Sequence, residues 1–235
     1  MINSVIFDID DTLLNHSGAL RKAIDEFYDS YIKGSSITKK DFRNIWNTEQ
    51  KKYFDDYLNN AVTFEEQKYL RIQSIFRQIG VYIDVDSAYE YFLNYLKMYE
   101  KNWELFDDVK SVLEELEDYK LGIISDGDSH QQRDKLKKFR IERYFDSIVI
   151  SDDISSTKPT KKIFTECLNR LNTESDKAMY IGDDYKKDFK GAIRRGLKAC
   201  LIDRNSNIKI EEIDNNYKIN SLMCLKSILK KVKKE

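Results

Sequence analysis

The chain has 235 residues, and 41% of them are hydrophobic, which is enough to build the core of one large domain or of two smaller ones. Its 40 Lys and Arg residues nearly balance its 41 Asp and Glu residues, and the net charge of −1 excludes a general attraction to nucleic acid or to an anionic membrane. The N-terminus does not read as a secretory signal and no stretch is apolar over the length of a membrane span, so we expect a cytoplasmic protein with neither kind of partner.

Short apolar runs alternate with amphipathic stretches along most of the chain. The first run, SVIFDI at residues 4–9, is followed by four more, at residues 121–125, 147–151, 178–182 and 198–202. Strands that alternate with helical patterns are typical of a parallel sheet covered by helices on both faces. The expected fold class is therefore α/β, with a Rossmann-like three-layer core.

The interval between the first two runs has a different character. Residues 16–102 show helical spacing with many aromatic side chains and contain no comparable strand run. This pattern predicts an inserted all-helical domain, with its aromatic stripes as the domain core. The expected division is a core of residues 1–15 and 103–235 and a helical domain of residues 16–102.

The remaining features predict ordinary structure. Cys167, Cys200 and Cys224 are odd in number and have no CxxC spacing, so we expect buried thiols instead of disulfides or a zinc site. The basic segment at residues 226–235 is expected to form the solvated face of a final helix.

An unusual cluster of acids interrupts the end of the first apolar run. Asp8 and Asp10 are two residues apart, so on an extended strand they point to the same side, at the sheet edge where open parallel sheets bind ligands. Two neighbouring carboxylates are costly unless a cation joins them or one is protonated, and oxygen ligands favour magnesium. One carboxylate could attack an electrophile while the other carries protons. The alternative is a capping cluster that also includes Asp11 and Thr12.

The later apolar runs also end in residues that bear chemistry. The second run ends in a hydroxyl and a glycine-containing turn that suit an anion cradle. The third leads to a lysine before the single proline, which is expected to open a helix, and the fourth is followed by further carboxylates. These residues are Ser125, Asp126 and Gly127, then Lys158, and then Asp183, Asp184 and Asp188.

Together these motifs resemble the haloacid dehalogenase superfamily of hydrolases. Four signatures occur in order: DIDDT at residues 8–12, the apolar run ending in Ser125, Lys158 within STKP, and GDDYKKD at residues 182–188. The segment QQRDKL at residues 131–136 also resembles the family. The match covers the α/β core, and the helical insert resembles the four-helix cap of one large subgroup, whose loops are expected to select the substrate.

The resemblance implies catalytic roles for three residues. Asp8 would be the nucleophile that forms an aspartyl-phosphate, and Asp10 would protonate the leaving alcohol and then activate water. Lys158 would neutralise the nucleophile and the transferring group. Phosphoryl transfer requires this combination of nucleophile, proton carrier and positive charge.

The resemblance also implies the binding residues. Ser125 and the backbone N–H groups near Asp11 and Gly127 would hold the phosphoryl oxygens, and Asp126, where relatives often have Asn, would adjust substrate preference. Mg²⁺ would be held by the Asp8 carboxylate, the Asp10 carbonyl and Asp183. Asp188, or less directly Asp184, would support the metal or Lys158.

The predicted function is a Mg²⁺-dependent phosphatase, monomeric or homodimeric, that acts on a small phosphorylated metabolite. A pyrimidine nucleoside 5'-monophosphate is the first guess, with small sugar phosphates close behind, and His16 is either a substrate contact or a surface or hinge residue. Asp10 argues against dehalogenation, which has no alcohol to protonate. A sugar-phosphate mutase and a non-catalytic phosphate- or metal-binding regulator on the same fold remain open.

Overall fold

The computed structural model describes residues 1–232 and separates into two compact units. One unit combines Met1–Asn15 with the chain from Glu104 onward, and the other is His16–Trp103. The predicted boundary at residue 102 lies one residue before the observed one. No helix within residues 1–232 is both long enough and apolar enough to cross a membrane.

Four helices make up the unit His16–Trp103, and polar caps start three of them. Thr38, Thr63 and Asp84 each accept a hydrogen bond from a backbone N–H three residues later, and Glu66 completes a capping box with Thr63. The helices are α1 (His16–Phe27), which runs on into a π-helical turn at Tyr28–Ile32, α2 (Lys39–Leu58), α3 (Phe64–Gln78) and α4 (Val85–Lys101).

Aromatic side chains form the core of this helical unit. The rings of Phe27 and Trp46 lie 5.1 Å apart and those of Trp46 and Tyr95 lie 4.6 Å apart, and all three side chains are buried. The expectation that the aromatic stripes form the core is confirmed. His16, whose Nδ1 lies 2.7 Å from the Tyr99 hydroxyl, belongs to this unit as well.

A seven-stranded sheet lies at the centre of the other unit, as counted within residues 1–232. Its strands are β1 (Ser4–Phe7), β2 (Lys120–Ser125), β3 (Ser147–Ile150), β4 (Ala178–Gly182), β5 (Lys198–Ile202), β6 (Ile210–Ile213) and β7 (Asn216–Ile219). The order is β3-β2-β1-β4-β5-β7-β6, and every neighbouring pair is parallel except β6 and β7. The predicted α/β class with a largely parallel sheet is confirmed.

Short helices connect the strands of this unit. They are α5 (Val109–Glu115), α6 (Ser129–Lys138), α7 (Ser151–Ile154), α8 (Lys161–Leu171), α9 (Lys190–Ile193) and α10 (Leu225–Val232). Part of the predicted final basic segment, residues 233–235, lies outside the described residues. Buried apolar side chains such as Ile6, Ile124 and Phe164 hold the sheet against α8.

Three details of the sequence prediction are corrected here. The hairpin of β6 and β7 was missed because β6, with the sequence IEEI, is an exposed edge strand; its two-residue loop, Asp214 and Asn215, has positive φ at both positions. Cys224 is only partly buried, unlike Cys167 and Cys200. The helix after the lysine–proline pair begins at Lys161 and not at the proline.

Candidate active site

The carboxyl ends of β1, β2 and β4 meet at a cavity of about 180 Å³. Of the site residues that the family resemblance implied, all except Gly127 line this cavity. The full lining is Asp8, Asp10, Asp11, Ser125, Asp126, Lys158, Asp183, Asp184, Lys187 and Asp188. The sheet topology therefore brings together residues that are up to 180 positions apart in the chain.

A turn, and not an extended strand, brings Asp8 and Asp10 to the same cavity. β1 ends at Phe7, and the Asp8 N–H still donates to the Ile181 carbonyl at 2.9 Å. The chain then bends, since Asp11 has a φ of +54° and the Leu13 N–H donates back to the Ile9 carbonyl at 2.8 Å. The prediction that strand alternation places the two acids side by side is therefore corrected, because the strand ends before Asp8.

The buried ammonium group of Lys158 joins two carboxylates. Its Nζ lies 2.7 Å from Asp8 Oδ1 and 2.8 Å from Asp188 Oδ1, and all three side chains are buried. Burial by itself would lower the pKa of Lys158, but the charges of Asp8 and Asp188 raise it above its usual range. Lys158 is therefore a fixed positive charge beside Asp8.

Asp188 reaches this position because Gly182 has no side chain. A Cβ added at Gly182, the last residue of β4, would lie 2.4 Å from Asp188 Cγ. Asp188 Oδ1 also accepts a hydrogen bond from the Tyr180 hydroxyl at 2.9 Å, and Oδ2 accepts one from the Asp184 N–H at 3.0 Å. The Asp184 carboxylate itself caps the following turn by accepting from the Lys186 and Lys187 N–H groups. Both oxygens of Asp188 thus have protein donors.

Three carboxylates in this cavity form a set suited to a hard divalent cation. Oxygen atoms of Asp8, Asp183 and Asp188 all lie within 4.8 Å of one another. The protein packed around Asp183, together with the neighbouring Asp188 and Asp11 carboxylates, raises the pKa of Asp183 to about 7, although its side chain is exposed. Burial raises the pKa of Asp8 well above its usual value, and nearby carboxylates add to this effect against the influence of Lys158. An oxygen-only set with excess negative charge fits Mg²⁺.

Two residues that the sequence analysis did not assign hold the Asp10 side chain. Lys135 Nζ donates to Asp10 Oδ1 at 2.6 Å, and Gln132 Nε2 lies 3.0 Å from Asp10 Oδ2. Both residues are on α6, in the QQRDKL segment that resembled the family, so the segment was a signal, but its role was not readable. Tyr180 was missed because it lies inside an apolar strand, and Lys187 because it is one of many lysines.

The Asp126 carboxylate accepts a backbone hydrogen bond and lies near an ammonium group. Its Oδ1 accepts from the Lys158 backbone N–H at 2.9 Å, and its Oδ2 lies 3.4 Å from Lys187 Nζ. Ser125 is buried at the cavity wall, with its Oγ 2.8 Å from Gln132 Nε2. Gly127, with a φ of +126°, donates its N–H to Ser151 Oγ at 3.0 Å, so this N–H already has a partner within the protein.

The arrangement combines the parts needed for transfer of an anionic group. A buried carboxylate next to a fixed ammonium group can approach an anion without uncompensated repulsion. A second carboxylate in the same cavity can donate or accept a proton. The carboxylates that could hold a cation and a buried hydroxyl lie at the same edge.

Comparisons with known proteins point to one family. A sequence profile of the family described as haloacid dehalogenase-like hydrolase matches residues 5–202. The glyceraldehyde 3-phosphate phosphatase of Methanothermobacter thermautotrophicus is 29% identical, over 97% of this chain and 100% of that protein. The pyrimidine 5'-nucleotidase YjjG of Escherichia coli is 28% identical, over 96% of each chain. The HAD-hydrolase YfnB of Bacillus subtilis, in a crystal structure bound to magnesium, superimposes with a TM-score of 0.77 at 23% identity, covering 97% of this chain and 98% of that one.

Proposed function

The chain belongs to the haloacid dehalogenase-like hydrolase family, and from this premise we propose that it is a Mg²⁺-dependent phosphatase that hydrolyses a small phosphomonoester through an aspartyl-phosphate. The observation that carries the proposal is the buried contact of Asp8 with Lys158, at 2.7 Å, in a cavity that Asp10 also lines. Release of a halide would need the nucleophile but no proton carrier for an alcohol. The presence of Asp10 therefore favours a phosphate ester over a haloacid.

In the first step Asp8 is the nucleophile. A carboxylate oxygen of Asp8 attacks phosphorus, the bond to the ester oxygen breaks, and Asp10 gives a proton to the departing alkoxide. Lys158 lies beside Asp8 and offsets the repulsion between the carboxylate and the phosphoryl group. Ser125, at the cavity wall, would donate its hydroxyl to a phosphoryl oxygen.

In the second step water cleaves the aspartyl-phosphate. Asp10 accepts a proton from the water as its oxygen bonds to phosphorus, and Asp8 leaves as a free carboxylate. Asp8, Asp183 and the Asp10 carbonyl would hold Mg²⁺, which would supply positive charge that offsets the negative charge of the transferring group. Asp188, through its contact with Lys158, supports this arrangement.

The names of the relatives narrow the substrate class. They specify glyceraldehyde 3-phosphate in one case and a pyrimidine 5'-nucleotide in another. Both are phosphate monoesters of small metabolites. We propose a small phosphorylated metabolite, with pyrimidine nucleoside 5'-monophosphates and sugar phosphates as the first compounds to screen.

A phosphate-release assay tests this function. The protein is mixed with p-nitrophenyl phosphate and with a panel of phosphorylated metabolites, with Mg²⁺ or with a chelator, and inorganic phosphate is measured. We expect Mg²⁺-dependent release, abolished in Asp8→Asn and reduced by about 10²–10⁴-fold in Asp10→Asn. Absence of turnover across the panel, in a folded sample with Mg²⁺, would instead favour the regulator. Conversion of a sugar phosphate to its isomer without phosphate release would favour the mutase.

A further inference from the structure

The Asp10 carboxylate is held at both oxygens by α6. Lys135 donates to Oδ1 at 2.6 Å, and Gln132 lies 3.0 Å from Oδ2. Both side chains are almost fully buried, at 1% and 2% exposure, whereas Asp10 is partly exposed to the cavity. Neither Lys135 nor Gln132 lines the cavity, but both contact Asp10, which does.

Gln132 also ties Asp10 to the end of β2. Its Nε2 lies 2.8 Å from Ser125 Oγ and 2.9 Å from the Asp126 carbonyl. The side-chain amide of Gln132 therefore contacts the Asp10 carboxylate, the buried Ser125 hydroxyl and the backbone that follows β2. Burying an ammonium group is costly, and the contact of Lys135 with Asp10 at 2.6 Å offsets part of this cost. The contacts from α6 consequently restrict the orientation of the Asp10 side chain.

We propose that Lys135 and Gln132 are positioning residues that hold Asp10 as a proton acceptor for the hydrolysis of the aspartyl-phosphate. Donors on both oxygens restrict rotation of the carboxylate, which lines the cavity and stays partly exposed to it. In the step concerned, water oxygen bonds to phosphorus, the water proton passes to Asp10, and the bond between phosphorus and Asp8 breaks. This inference rests on the proposed function, and it adds which residues govern the second step.

The two steps make different demands on Asp10 when the substrate is p-nitrophenyl phosphate. The p-nitrophenolate group leaves without needing a proton, so formation of the aspartyl-phosphate does not depend on the orientation of Asp10. Hydrolysis of the aspartyl-phosphate does depend on it. Loss of orientation of a proton carrier typically costs about 10²-fold in rate. Kinetics with p-nitrophenyl phosphate therefore distinguish a positioning role of Lys135 and Gln132, which affects only the second step, from a merely structural role, which affects both steps.

The test is rapid-mixing kinetics on Lys135→Met and Gln132→Met with p-nitrophenyl phosphate and Mg²⁺. Both substitutions remove the donor; Gln132→Met keeps the side-chain length, and Lys135→Met shortens the side chain by one atom. We expect a burst of nearly one p-nitrophenolate per site, followed by steady-state turnover that is slower by about 10²-fold, with phosphorylated protein accumulating. Lys135→Arg, which retains a donor, should recover part of the steady-state rate. The matched control is Lys137→Met, which lies on the same helix with its side chain 58% exposed and should behave as wild type.

Several results would overturn the inference. Burst and steady state falling by the same factor in both variants would indicate only a smaller folded fraction, and an unchanged steady state would show that Asp10 does not need these donors. If Lys135→Met does not fold, as judged by circular dichroism, Gln132→Met decides by the same criteria. A wild-type protein that releases no phosphate would instead refute the proposed function, so the two failures are distinguishable.

Discussion

The two units of the chain bury charged side chains in different ways. In the α/β unit, buried ammonium groups face carboxylates: Lys158 contacts Asp8 and Asp188, and Lys135 contacts Asp10. In the helical unit, Arg71 is 9% exposed and packs over aromatic rings. Within residues 1–232 no carboxylate lies at ion-pair distance from its guanidinium. The chemistry is therefore concentrated in the unit whose buried charges are paired.

The difference has a physical reason. A guanidinium group is delocalised and can be partly stabilised by aromatic faces, such as those of Phe92 and Tyr95 at 5.0 and 5.5 Å. Clustered carboxylates have no such option and require a cation or a proton. Substitutions of buried charged residues should therefore have large effects on activity in the α/β unit and small ones in the helical unit, and three predictions test this contrast.

The largest effect is expected for Lys158→Met. The change removes the positive charge beside Asp8 and leaves two buried carboxylates facing each other. We expect kcat for p-nitrophenyl phosphate to fall by at least about 10²-fold, and the free energy of unfolding to fall by about 3–5 kcal/mol. Steady-state kinetics and chemical denaturation measure the two effects. Lys162→Met, an exposed position on α8, is the control, and a Lys158→Met protein with normal kinetics would remove this lysine from the site.

An intermediate effect is expected for the change in thermal stability that Mg²⁺ causes at different pH values. The pKa of Asp183 is raised to about 7, so the folded, metal-free protein retains a proton that the unfolded chain has already lost above its ordinary pKa of 3.8. This contribution to stability is therefore lost as pH rises through the window between those two values. Mg²⁺ replaces the proton, so the Mg²⁺-induced rise in Tm should be larger at about pH 8 than at about pH 5. Thermal melts with Mg²⁺ or a chelator measure it. An equal rise at both pH values, or a full rise in Asp183→Asn, would contradict the assignment.

The smallest effect is expected for Arg71→Met in the helical unit. The change removes cation–π contacts of about 1–2 kcal/mol but also removes the cost of burying a charge, so the net change in the free energy of unfolding should stay within about 1 kcal/mol. The kcat for p-nitrophenyl phosphate should not change. Denaturation and steady-state kinetics test this. A loss of activity similar to that of Lys158→Met would break the contrast between the two units.

The sequence was informative where one local pattern decides the structure. The runs of β1 to β5 are short, apolar and bounded by polar residues, so these five strands were predictable, and a shared edge for their carboxyl ends follows from parallel topology. Asp8 was recognisable because it directly follows an apolar strand, and Lys158 because it directly precedes the single proline. The edge hairpin of β6 and β7 was missed because its exposed face lacks the apolar signal.

Some site residues whose partners are distant in the sequence could not be predicted. Lys135 and Asp10 are 125 positions apart, and on α6 a lysine that is fully buried cannot be told from an exposed one by its neighbours. Tyr180 resembles any other core residue of β4, although its hydroxyl contacts Asp188. Gly182 could not be recognised either. The reason that this position must be glycine is the packing of Asp188 against it, which only the structure shows.

The covalent state of Asp8 during turnover tests the central claim most directly. Wild-type protein and Asp8→Asn are mixed with p-nitrophenyl phosphate and Mg²⁺, quenched in acid within one turnover, digested, and examined by mass spectrometry. The account predicts one phosphoryl group on the peptide that contains residue 8 in the wild type and none in Asp8→Asn. Turnover with no phosphorylated peptide, or with the phosphoryl group on another residue, would contradict it.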